Sequence, residues 1–204
     1  MAVAADTHRR VQRRLDDVTG AKLAAMIAVL DDPTSQEGMD AYNVASARVV
    51  GGAQHRSARL ALAYMASRRA FADTPDVARA LAPVLVTRES PVTRSPILRV
   101  MGLVGEGTAV AEAVAQAGAY ARTLVSNDLQ VAERAGLGEG ARVSGEEIVG
   151  WRKNLAPGAC EWCRKVSGAS SAGGRLRVYS SPDRVPFHAH DSCSVEPVFA
   201  GEGR

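Results

Sequence analysis

The stretch Thr108–Ala135, TAVAEAVAQAGAYARTLVSNDLQVAERA, sets the fold class of the chain. Its larger apolar residues Val110, Val114, Tyr120, Leu124, Val125 and Leu129 recur at helical steps, and the small Ala residues between them let a neighbouring helix approach closely. The spacing predicts a long helix over 108–135, with Gly136 as its stop. Upstream, Val11, Leu15, Val18, Met26, Ile27 and Leu30 fall on one helical stripe between Thr7 and Asp32, which Pro33 ends. A second helical stretch from Met39 to Phe71 carries Tyr42, Val49, Leu60, Tyr64 and Met65, with Gly51-Gly52 read as a break or kink. Thr74-Pro75 reads as an N-cap and first helical residue of a short helix ending before Pro91, and Pro91–Pro96 reads as a connector. Arg9, Arg10, Arg13 and Arg14, and the pair Arg68 and Arg69, are expected on solvated helix faces.

Composition agrees with a helical body. Of the 204 residues, 36 are Ala and only nine are aromatic, a bias toward helix and away from strand. The apolar fraction of 46% and charged fraction of 23% exclude a disordered tail and a membrane-spanning chain. Beyond Ala135 the character changes. Gly136-Leu-Gly138-Glu-Gly140 lacks the Lys-Ser/Thr ending of a phosphate loop and reads as a linker. From Ile148 onward, Ile148–Trp151, Leu176–Tyr179 and Val195–Phe199 are short strand-like runs separated by Gly, Ser and Pro. The expected fold class is α+β, predominantly α: a helical body over 1–140 and a small β-rich Cys/His module over 148–204.

Charge speaks against a dedicated nucleic-acid binder, so a nucleic-acid-binding zinc module ranks last among the readings. The net charge is +3, split as +3, −3 and +3 over residues 1–72, 73–150 and 151–204, so no segment carries a sustained basic face. The ratio of 22 Arg to 3 Lys fits codon bias in a G+C-rich genome. Residues 1–17 carry charges where a signal peptide needs an apolar stretch, and no apolar run reaches transmembrane length, so the expectation is a protein made and kept in a cytoplasm.

The three cysteines all fall in the last quarter, which excludes a disulfide-dense scaffold. Cys160-x-x-Cys163 is followed by His188-x-His190-x-x-Cys193. Two thiols two residues apart can converge on one ion, and a returning chain can complete a tetrahedron. The donor set is Cys160, Cys163, Cys193 and one His, with His190 taken first and His188 as its substitute; a structural zinc would then staple a module with few apolar anchors. Three other readings stand beside it. The thiols and imidazoles could be reduced and merely packed together. Cys160 or Cys163 with His188 or His190 as base would make a nucleophile for peptide hydrolysis. A serine route would use Ser167, Ser170 or Ser171, although Gly168-Ala-Ser-Ser-Ala-Gly173 is not a nucleophile elbow, and Asp191 is poorly placed to orient the adjacent His190.

The order Trp151-Arg152, Ala159-Cys-Glu-Trp-Cys163, a Gly/Ser spacer, Val178-Tyr179, Pro186-Phe-His-Ala-His-Asp-Ser-Cys193 and Glu196-Pro-Val-Phe199 resembles the MuF-like minor head proteins of tailed phages, in the version found in phages of actinobacteria. The resemblance covers residues 148–199. It implies a minor capsid protein present in few copies, acting in head assembly and in genome packaging or delivery. The implied partners are the portal protein and the major capsid or scaffold protein, with contact to packaged DNA and none to a membrane. The implied location is the virion, in the capsid interior or at the portal vertex, after assembly in the host cytoplasm. Related proteins also carry the label of capsid maturation protease. One departure is clear: the family commonly ends this motif with Cys-x-Cys, whereas Ser194 and Val195 follow Cys193 here.

Overall fold

The computed structural model describes residues 2–169, 176–188 and 193–201. Within them the chain forms α1 (Ala2–Ala28), α2 (Gln36–Arg68), α3 (Val77–Leu81), α4 (Pro91–Gly105), α5 (Val110–Arg142), β1 (Ile148–Asn154), α6 (Glu161–Ser167), a 3-10 turn (Pro182–Arg184) and β2 (Ser194–Phe199). The class is predominantly α with a small two-stranded antiparallel sheet.

The central helix is α5, which packs against α1, α2, α3 and α4. Its small face, Ala113, Ala117 and Ala121, continues into Val125 and Leu129. These meet Leu23 and Ile27 of α1, Tyr42, Val50 and Ala53 of α2, and Val92, Ile97 and Val100 of α4 in one dry core. Closeness is achieved by side chains that are nearly absent. A Cβ on Gly118 would stand 3.1 Å from Ala24 Cβ, and one on Gly136 would stand 2.5 Å from the Ala58 carbonyl oxygen. That explains why the expected linker is helix: α5 runs unbroken through Gly136, Gly138 and Gly140, and Gly136 and Gly140 serve the α2 crossing rather than chain flexibility.

Three further expectations are corrected. Helix α2 passes through Gly51-Gly52 without a break. The Pro91–Pro96 stretch is the start of α4, not a connector: Pro91 occupies a first-turn position where its missing N–H matters least, and the fully buried Thr93 hydroxyl donates back to the Ser90 carbonyl at 2.6 Å. The short helix α3 is capped two residues later than expected, by Asp76, whose carboxylate accepts from the Arg79 N–H at 3.0 Å.

The β-module sits on the helical body through a second apolar cluster that both share. Ala5, Ala61, Tyr64, Met65 and Leu137 of the body meet Trp151, Val185 and Val195 of the module. Strand β2 pairs antiparallel with β1, Trp151 opposite Pro197 and Lys153 opposite Val195, with an irregularity between Ile148 and Gly150. The run expected as a strand at Leu176–Tyr179 contributes one bridge, Tyr179 to Trp151, through paired backbone bonds of 2.7 and 2.8 Å.

Every residue of β2 is buried, including Glu196. The Tyr64 hydroxyl donates to its carboxylate at 3.1 Å, Arg152 lies at 3.3 Å and Arg68 at 3.8 Å, and Asn154 adds a further hydrogen bond. Arg68 is therefore not on a solvated face: its side chain is 7% exposed and serves as counter-charge to Glu196. A second polar tie lies nearby, where His8 Nε2 meets Glu133 at 2.7 Å and the His8 ring stacks on Tyr64.

Candidate metal centre

Strand β1 ends at Asn154, and the chain then turns through Gly158, whose φ of 76° places it in the left-handed region that favours glycine. The turn delivers Cys160 to the N-cap of α6, where its Sγ accepts the Cys163 backbone N–H at 3.4 Å. One helical turn brings the buried Cys163 back beside the exposed Cys160. Gly168, also left-handed at φ 85°, ends α6 after two turns. The sequence reading required only that two thiols two residues apart converge; the structure brings them together on a capped helical turn.

The third donor arrives on the segment after the 3-10 turn. His188 Nε2 lies 3.4 Å from Cys160 Sγ and 3.3 Å from Cys163 Sγ, and the donor atoms of all three residues lie within 4.8 Å of one another. Cys160, Cys163 and His188 are thus close enough to bind one metal ion. His188, named in the sequence reading as the substitute for His190, is the imidazole found beside the thiols; His190 itself lies outside the described residues, together with Ser170, Ser171 and Asp191. Cys193 does not belong to the close group. Its Sγ accepts the Ala156 N–H at 3.5 Å, on the same turn that leads to Cys160, and it borders a small enclosed cavity lined by Gln12, Asp16, Gln130 and Glu133.

Four residues that the sequence reading passed over hold His188 in place. On β1 the buried Lys153 donates to the Pro186 carbonyl at 2.7 Å. From α5 the Arg134 guanidinium lies 4.0 Å over the Phe187 ring, and Gln130 Nε2 donates to the His188 carbonyl at 3.3 Å. Trp162 of α6 packs edge-on against the His188 ring at 5.2 Å. Second-layer groups of this kind fix a ligand's orientation. One signal for Lys153 was available: it falls on the inward face of β1, two residues after the buried Trp151, where a charged residue needs a partner.

Protonation at the cluster follows from these contacts. The Cys163 backbone N–H above all, then the Cys163 thiol and the His188 ring, hold the Cys160 thiol down at about 7. A thiolate there is ready for a cation or for nucleophilic attack. The serine route through Ser167 is closed, because that residue is 1% exposed and its hydroxyl donates to the Arg164 carbonyl at 2.8 Å.

Fold and site together define an α-helical protein carrying a small module with a Cys-Cys-His donor group. No family model, curated protein or solved structure matches the chain. No helix among the described residues is long and apolar enough to cross a membrane.

Proposed function

We propose that this chain is a structural minor head protein of a tailed phage, of the MuF-like kind, whose C-terminal module is stapled by zinc through Cys160, Cys163 and His188. The observation that carries this reading is the convergence of the three donors inside the very segment, 148–199, that bears the resemblance. The donor chemistry favours zinc: two thiolates and an imidazole are its usual ligands, and tetrahedral bonds of about 2.3 Å to sulfur and about 2.0 Å to nitrogen set an S···N separation of about 3.5 Å. The separations of 3.3 and 3.4 Å are close to that figure. When bound, the metal supplies cross-linking of the β1–α6 turn to the 185–188 segment, and Lys153, Gln130 and Trp162 hold the ligand ring for it.

A second reading, a capsid maturation protease, is favoured by one observation, the Cys160–His188 pair with its lowered thiol. Against it, the same imidazole nitrogen is shared with Cys163, the arrangement of a ligand rather than of a dedicated base. As a head component the protein would meet portal, capsid or scaffold subunits in the virion. Quantitative mass spectrometry of purified particles tests the assignment. Retention of the chain in mature heads, with normal capsid-protein cleavage in a Cys160→Ser variant, supports it. Absence from heads together with loss of cleavage in that variant replaces it with the protease.

A further inference from the structure

We propose that the groove between α1 and α2 is a docking site for an acidic amphipathic α-helix of a partner protein. The groove holds about 470 Å³ and is floored by Val11, Leu15 and Val18 of α1 with Leu60 of α2. Val11 and Val18 are 41% and 52% exposed, although α1 already buries Leu23 and Ile27 on its inward face. Helix α1 therefore carries a second apolar stripe, spaced by four and three residues, in which Leu15 is half-buried against the core and Val11 and Val18 are left exposed. Val11 to Val18 spans about 10 Å of helix axis, enough to receive two turns of a helix presenting apolar anchors at i, i+3 or i+4, and i+7.

The rim selects the charge of the occupant. Arg14, Arg56 and Arg59 line the groove and make no ion pair with another described residue, and the exposed Arg10 and Arg13 extend the basic surface along α1. Asp17 is an exposed acidic neighbour on α1 and does not line the groove. An apolar floor within a basic rim matches a helix with a leucine-type stripe flanked by carboxylates. Other occupants fit less well. Two copies pairing groove to groove would set the three arginines against their equivalents, and a duplex would press its phosphates on bare aliphatic side chains.

The test is a fluorescence-anisotropy titration of the full chain with two synthetic peptides of the same leucine stripe, one flanked by Glu and one by Lys. Micromolar binding of the Glu peptide, about tenfold or more tighter than the Lys peptide and weakened by salt, is expected. Val18→Glu should abolish it, and Arg56→Glu with Arg59→Glu should invert the preference, with thermal melting unchanged because these positions are exposed. Failure of the Glu peptide to bind, equal binding of the two peptides, or insensitivity to both variants overturns the proposal. So does Val18-dependent self-association, or Val18-dependent binding of phosphatidylglycerol vesicles or duplex DNA.

Discussion

Glu139 shows how much one side chain can hold in place. Its carboxylate accepts from Arg79 at 2.7 Å, from Arg142 at 2.8 and 2.9 Å, and from the Asp76 N–H at 2.7 Å, tying α5 to the start of α3. Arg142 first, then the Asp76 N–H and Arg79, hold its carboxyl down at about 2. A lowered folded-state value means that the stability it contributes is complete above about 4.5 and is lost as pH falls toward 2. Glu139→Gln should cost about 1–3 kcal/mol near neutrality and flatten the acid limb of a urea-denaturation series measured against pH. Asp16 works in the opposite sense: burial first, and then the Glu133 charge, raise its carboxyl from 3.8 to about 7. Its contribution is complete below about 3.8 and is lost as pH rises through 7, so Asp16→Asn should stabilise the protein at pH 8 by on the order of 1 kcal/mol and have little effect below pH 4. A thermal-melting series across that range checks the sign. At this scale the sequence was partly legible. Thiol spacing announced Cys160 and Cys163, but the two histidines differ by only two positions. What brings His188 to the thiols is its anchoring by Lys153, Gln130 and Trp162, from β1, α5 and α6, and no local spacing encodes those contacts.

Among the elements, α5 and α2 carry the clearest lesson about glycine. Read along the chain, Gly136, Gly138 and Gly140 look like a linker, because glycine weakens an isolated helix. Between helices Gly136 and Gly140 are the condition for contact, since a side chain on Gly136 would meet the Ala58 backbone and one on Gly140 would stand 3.1 Å from Met65 Cγ. The apolar periodicity over 108–135 located α5 correctly and ended it seven residues early, and the interior glycines of α2 misled in the same way. A contrast pair tests this. Gly136→Ala should lower stability by about 2 kcal/mol or more through overpacking despite its better helix propensity. Gly52→Ala, with no atom within 4 Å of the added Cβ, should raise it by about 0.5–1 kcal/mol. Equal effects in chemical denaturation would contradict the packing account. The short elements of the module were harder to read: α6 has only two turns, and the Leu176–Tyr179 run pairs through a single residue, so neither leaves a sustained period in the sequence.

At the level of the whole molecule, the division into a helical body and a Cys/His module describes composition well and contact less completely. Trp151, Val185 and Val195 share a core with Tyr64, Met65 and Leu137, and buried Glu196 draws Arg68 and Tyr64 of α2 onto the sheet. Charges buried in this way are costly to orphan, so Glu196→Ala should destabilise the fold by about 3–5 kcal/mol, with near-ultraviolet dichroism of Trp151 reporting the loosened joint. The metal account makes the module's stability depend on the ion as well, because the donors converge only in the folded chain, and it makes binding depend on pH, because the thiols and any imidazolium must lose their protons to bind it. The direct measurement is elemental analysis of the protein purified after metal-replete expression, beside its His188→Ala and Cys163→Ser variants. One equivalent of zinc per chain, lost in both variants and accompanied by a fall in melting temperature on chelation, is the predicted result. Less than about a tenth of an equivalent in the unaltered chain, with melting indifferent to chelator, would contradict the account.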